Sequence, residues 1–170
     1  MKALLFLSII FFILGFLNKN LEFIYINTSN SLPFGFYLSL PIDKIHRGDL
    51  LLMCLDSNTA FLAKKRHYIS KGSCPHQSAP LGKYVQALNG DMVTVNKEGI
   101  YVNYQYIEKS KSLKIDAVGR PLPLSLNNKI LKKDEFLVVN SQENSFDSRY
   151  FGVIKKEQIL SRICPILIFN

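Results

Sequence analysis

The sequence predicts a mainly β domain behind a short N-terminal membrane segment, and three observations lead there. Beyond residue 26 the apolar residues fall in short runs, several alternating with polar ones and bounded by Gly, Pro, Asn, Asp or Ser. No long stretch beyond the N-terminus repeats its apolar residues at the helical period. Ala3 to Leu17 (ALLFLSIIFFILGFL) carries no charge and follows Met1-Lys2, as a membrane helix or an export signal does. At 170 residues the chain suffices for one domain with a full core. It divides into an anchor over residues 1–26 and a β-rich domain over residues 27–170.

Ala3 to Leu17 rises only about 22 Å as a helix, against a bilayer core of about 30 Å. A span therefore has to use part of Asn18 to Ile26, with Lys2 and Lys19 snorkelling. No pair of small residues after Gly15 suits signal-peptide cleavage, which favours a retained single-pass anchor. With Lys2 on the cytoplasmic side, the domain faces outward.

Just after the membrane segment, Ile26-Asn27-Thr28-Ser29-Asn30-Ser31-Leu32-Pro33-Phe34-Gly35 reads as an apolar strand ending in a cluster of small hydroxyl and amide residues, then Pro and Gly, a turn by composition. Gly35 to Leu40 alternates. Arg47-Gly48-Asp49 turns into a strand over Leu50 to Leu55, and Leu81 to Ala87 is a strand that places Lys83 on one face with Leu81, Val85 and Ala87. Asn89-Gly90-Asp91 turns into Met92 to Asn96, and Lys97-Glu98-Gly99 joins that strand to Ile100 to Ile107 as a hairpin. Pro121 and Pro123 make Gly119 to Leu126 irregular. Phe136 to Asn140 and Ile163 to Phe169 complete the strands. Residues 144–154 (NSFDSRYFGVI) read as a strand that shows Ser145, Asp147 and Arg149 on one face, close enough for acid and guanidinium to pair.

The net charge of +8 raises a nucleic-acid reading, but the basic residues are scattered. Clusters occur at Lys64-Lys65-Arg66 and Lys129 to Lys133, without a zinc-finger, RRM or KH pattern, so nucleic acid is set aside and an anionic membrane surface is the expected partner of this charge. Of three cysteines, Cys54 and Cys74 either pair as a disulfide or remain free, and Cys164 sits in an apolar run as a small buried hydrophobe. A zinc site from Cys54, Cys74 and His76 has poor ligand spacing, so neither metal nor cofactor is expected.

Chemistry points first to the serines. A serine nucleophile needs an exposed hydroxyl on a tight turn, a base and an oxyanion donor. Ser31 and Ser29 offer the hydroxyls, whereas His46, His67 and His76 show no partner pattern for a base. Lys83 on an apolar strand face is the alternative base, because desolvation lowers an amine's pKa; the plain reading is a lysine snorkelling from an edge strand.

In order and spacing these residues resemble the S26 signal peptidases, serine-lysine membrane proteases, and within them the TraF-type peptidases of plasmid conjugation. The resemblance runs from the anchor through Asn27 to Tyr37, Arg47 to Leu52, Lys83 eight residues before Asp91, and Asn144 to Gly152. It implies a signal-peptidase-like antiparallel β domain with Ser31 as nucleophile, Lys83 as general base and Ser29 in the oxyanion hole. Ser145 would orient the lysine, with Asp147 and Arg149 bracing the site. Tyr84 and Asn89 stand where the family commonly has arginine and proline, and neither change removes a catalytic group. The short Ser31-Leu32-Pro33 form favours the conjugative branch, hence pilin-like or conjugation-apparatus precursors as substrates. The resemblance further implies a bacterial inner-membrane protein with its catalytic domain on the periplasmic or outer side. The rival class is a non-catalytic, membrane-anchored β module that keeps the scaffold for partner binding.

Overall fold

Leu50-Leu51-Leu52-Met53 is an uninterrupted apolar run, and a strand of that composition needs cover on both faces. The structure, a computed structural model, describes residues 23–123 and 126–169. It makes this run the middle strand, β3 (Leu50–Met53), of a seven-stranded sheet whose neighbours all pair antiparallel. The spatial order is β1 (Ile24–Asn27), β2 (Gly35–Leu40), β11 (Ile159–Ile168), β3, β4 (Leu81–Ala87), β9 (Glu135–Val139) and β10 (Ile154–Lys155). Leu51 and Met53 join Val85, Val138 and Ile154 in one core, while Leu50 and Leu52 turn to a second with Leu32, Tyr37 and Ile163.

A smaller antiparallel sheet, ordered β7 (Gln105–Tyr106), β6 (Gly99–Val102), β5 (Met92–Asn96) and β8 (Lys129–Ile130), forms a third core. There Val93, Val95, Ile100 and Val102 pack on Leu137 and Val139 of β9. Alternation along β9 thus serves two cores, because Phe136 and Val138 face the first. A register shift in β4 between Val85 and Ala87 does the same for that strand. Val85 packs in the first core and Ala87 in the third, so Ala87 does not share the face of Lys83 that strict alternation assigned to it.

Other departures from the sequence reading have local causes. Ile100 to Ile107 is not one strand: Asn103 and Tyr104 take φ of 51° and 66°, the two-residue turn that matches strand twist, and the chain reverses into β7. Residues 144–154 are not a strand either. They form a loop, a single-turn helix α2 (Ser148–Phe151) capped by Asp147, and the start of β10. Helix α1 (Ser57–Lys65) was not expected; Asp56 caps it by accepting from the N–H groups of Asn58 and Thr59 at 3.1 Å each. Residues 24–26, counted with the anchor by sequence, belong to β1. Cys164, expected to be buried, is an exposed free thiol, because the second half of β11 leaves most of its side chains uncovered. Residues 1–22 of that anchor lie outside the described residues, among which no helix is long and apolar enough to cross a membrane.

Helix α1 buries little beyond Ala60 and Ala63, so packing alone holds it weakly. A disulfide between Cys54, just after β3, and Cys74 spans 20 residues and ties the segment carrying α1 back to the central sheet. Loop closure of that length contributes on the order of 3 kcal/mol. The double variant Cys54→Ala/Cys74→Ala is therefore expected to melt roughly 6–12 °C lower than the oxidised protein by circular dichroism. Equal melting temperatures would mean the helix segment holds without the bond.

Candidate active site

Asn27 ends β1 and is 1 % exposed, and its side chain shapes the loop over residues 28–34 that returns the chain to β2. Its Nδ2 lies within bonding distance of the carbonyls of Ser29 (2.9 Å), Leu32 (2.9 Å) and Pro33 (3.1 Å). Its Oδ1 accepts from the Ser29 hydroxyl at 2.7 Å. The Tyr37 hydroxyl donates to the Pro33 carbonyl at 2.8 Å, fixing the other side of the loop. Ser31 sits at the loop's crest, half-buried, with its carbonyl accepting from Asn140 Nδ2 at 2.7 Å. Leu32 turns inward and lies against Gly82, where a Cβ would come within 2.4 Å of a Leu32 methyl. Absence of a side chain at residue 82 is what lets the serine loop close onto β4.

The next residue is Lys83, 1 % exposed, held between β3 and β9. Its Nζ donates to Ser145 Oγ at 2.7 Å. Burial pushes the amine's pKa from 10.5 down to about 8; the Asp147 carboxylate acts against that and the Arg149 guanidinium with it. The two neighbours' charges oppose one another at the lysine, so desolvation prevails.

That cancellation is built by the segment misread as a strand. Asp147 and Arg149 are both fully buried. Arg149 Nε and Nη2 reach the two carboxylate oxygens of Asp147 at 2.8 and 2.7 Å, a bidentate pair. The remaining donors of Arg149 go to backbone carbonyls, at 3.1 Å to Lys111, 3.1 Å to Glu143 and 2.6 Å to Gln142. Asp147 also accepts from the backbone N–H groups of Arg149 and Asn140 at 3.1 and 3.2 Å. A buried pair this well bonded offsets its own desolvation, and it pins the 140–145 loop that carries Ser145. Ser145, Asp147 and Arg149 thus meet Lys83 through a helix cap and a loop rather than through strand alternation.

A family model described as "Signal peptidase, peptidase S26" matches residues 1–167. The chain belongs to the S26 signal peptidase family. Plasmid transfer protein TraF of Escherichia coli is 35 % identical over 147 residues, 84 % of this chain and 81 % of that protein. A probable conjugal transfer protein TraF of Sinorhizobium fredii is 33 % identical over 148 residues, 85 % of this chain and 77 % of its own. Among solved structures, a signal peptidase I of Enterococcus faecalis is similar with a TM-score of 0.41 at 17 % identity, over 71 % of this chain and 97 % of that one.

In this S26 family member Ser29, Ser31, Lys83 and Ser145 open on one cleft of about 570 Å³. Much of the remaining wall of the cleft is apolar, with Tyr68, Ile115, Phe146 and Tyr150. Asp116 fastens that wall, accepting from the Tyr68 hydroxyl and from Arg120 Nε at 2.6 Å each. The disulfide leaves Cys54 and Cys74 unable to ligate zinc with His76, and among the described residues no group of three or more His, Cys, Asp or Glu could hold a metal. Sequence reasoning missed Asn27, Asn140, Gly82 and the apolar wall. In sequence, the two asparagines look like ordinary turn formers at strand ends.

The buried amine makes stability depend on pH. Its folded pKa lies below its unfolded value, so the unfolded chain holds more protons between about pH 8 and 10.5 and stability rises with pH across that window. The penalty is fully present below pH 8 and is on the order of 3 kcal/mol, against about 1 kcal/mol for the Ser145 bond. Lys83→Met is therefore expected to raise the melting temperature by roughly 4–8 °C at pH 7, with the gain shrinking toward pH 10.5. Thermal melts at the two pH values check this, and a gain independent of pH would contradict it.

Proposed function

We propose that this protein is a membrane-anchored serine endopeptidase of signal-peptidase type that cleaves exported precursors by acyl transfer through Ser31, with Lys83 as general base. The observation that carries the reading is a buried lysine, depressed to about pH 8 by desolvation, opening on the same cleft as the Ser31 loop. Neutral Lys83 takes the Ser31 hydroxyl proton as Oγ attacks the scissile carbonyl carbon. The oxyanion is held by the Ser31 N–H and the Ser29 hydroxyl. For this, Ser29 has to rotate away from Asn27 Oδ1, which it meets in the resting arrangement. Collapse breaks the peptide bond, and the leaving amine takes its proton from the Lys83 ammonium. Water, or an amine, then attacks the Ser31 ester with Lys83 again as base.

Ser145 aims the lysine, and the Asp147–Arg149 pair holds the Ser145 loop. The relatives described as plasmid and conjugal transfer proteins support a conjugation-apparatus precursor as substrate, with pilin-like proteins as the first to test. Placement at a bacterial inner membrane, domain outward, draws support from the uncharged run at residues 3–17. It also draws on the exposed apolar residues Phe23, Ile24 and Ile26 at and just before β1, Phe34 just before β2, and Ile166 and Leu167 of β11.

The mechanism gives a rate that climbs with pH to a plateau, with its midpoint near the lysine's value of about 8. Between pH 6 and the plateau the expected rise is about 100-fold. Ser31→Ala and Lys83→Ala should each abolish precursor processing while remaining folded. A penem-type acylating agent should add one acyl group to Ser31, read by mass spectrometry. A pH profile flat down to pH 5 would exclude the lysine as base, and a wild-type protein that never acylates would favour the non-catalytic module.

A further inference from the structure

Asn140 stands just past the end of β9, and the pairing of Tyr84 with Val139 and Val85 with Val138 continues to set it opposite Lys83. It is 2 % exposed and does not line the cleft. Its Nδ2 donates to the carbonyl of Ser31 at 2.7 Å and to the carbonyl of Gly82 at 3.1 Å. Two carbonyl acceptors fix the amide's orientation, because turning it over would set Oδ1 against both oxygens. The backbone N–H of Asn140 goes to Asp147 Oδ2. One residue therefore grips the main chain next to the Ser31 Cα, the main chain just before Lys83, and the carboxylate that pairs with Arg149.

We propose, on the serine-lysine reading above, that Asn140 is a positioning residue that sets Ser31 Oγ against Lys83 Nζ. Asn27 and Tyr37 hold the serine loop to its own hairpin. The Asn140 amide joins that loop by hydrogen bonds to the strand that carries the base. Proton transfer falls off steeply with misplacement, and a shift of about 1 Å is enough for a loss of about 100-fold. The amide's contribution acts through the distance between two side chains it does not itself chemically assist.

The test uses the full-length protein and a penem-type acylating agent, measuring the acylation rate at saturation, the half-saturating concentration and both across pH. Asn140→Ala is expected to lower the saturating rate about 100-fold, with half-saturation and pH midpoint unchanged, since the cleft wall and the lysine's burial stay in place. An amide with a merely structural role would lower the melting temperature and leave the rate per folded molecule at the wild-type value, and that result overturns the proposal. Asn140→Asp keeps the shape without the two donors and serves as the second variant. It is read on its high-pH plateau, because the added carboxylate raises the lysine's midpoint. A full plateau rate for this variant, or failure of both variants to fold, equally overturns it. Wild-type protein that is not acylated at Ser31 removes the serine-lysine reading and this proposal with it; wild-type acylation with an undiminished Asn140→Ala rate removes this proposal alone.

Discussion

Burying an amine so that its hold on the proton weakens is the constraint around which this domain is arranged. A lysine at full solvent exposure holds its proton near neutral pH, and only removal from water brings its affinity for the proton into the working range. Lys83 achieves that by lying on a central strand with neighbours on both sides, at 1 % exposure. Desolvation disfavours the charged form, yet a single nearby carboxylate would restore it. Asp147 is such a carboxylate, so the site also needs Arg149. The buried ion pair is thus an electrostatic device as much as a structural one, and the backbone carbonyls around Arg149 keep the guanidinium where its charge opposes that of Asp147 at the lysine.

The rest of the architecture brings the Ser31 loop onto the strand that carries that amine. Ser31 lies on a loop between two strands at the far end of the sheet order, and β2, β11 and β3 separate β1 from β4. The loop reaches across because Leu32 drops into the core formed with Leu50, Leu52 and Ile163, and because β4 offers a glycine beneath it. Hydrogen bonds from Asn27 give the crest its shape. The apolar wall joins Tyr68 and the 113–122 loop, fastened by Asp116, to Phe146 and Tyr150 of the segment that carries Ser145, and the Tyr150 hydroxyl ties the two by accepting from the Leu113 N–H at 2.9 Å.

Much of this was legible in the sequence where local pattern and tertiary context agree. Gly35–Leu40, Leu81–Ala87 and Met92–Asn96 formed as alternation and turn residues indicated. The grouping of Lys83 with Ser145, Asp147 and Arg149 came from motif order, since no periodicity links residues more than 60 positions apart. Alternation misled at residues 144–154, where Asp147 caps a helix turn instead of lying in a strand. Propensity does not see a cap that a buried arginine stabilises. Helix α1 escaped notice because it shows hardly any apolar stripe: Ala60 and Ala63 face the core while Phe61 is 68 % exposed. The shift that separates Val85 from Ala87, and the reversal at Asn103-Tyr104, depend on which neighbour each strand meets, and neighbours are not written locally.

The bare position at Gly82 carries a lesson for redesign. A side chain there would strike the Leu32 methyl, so the Leu32 side chain would have to repack for the serine loop to keep its place on the lysine strand. On the 113–122 loop Ile115 is 56 % exposed, beside the Asp116 anchor. Changes to the shape of the cleft are therefore best confined to the exposed side chains of the 113–122 loop. There shape can be altered while the side of the groove with Ser31 and Lys83 keeps its dimensions.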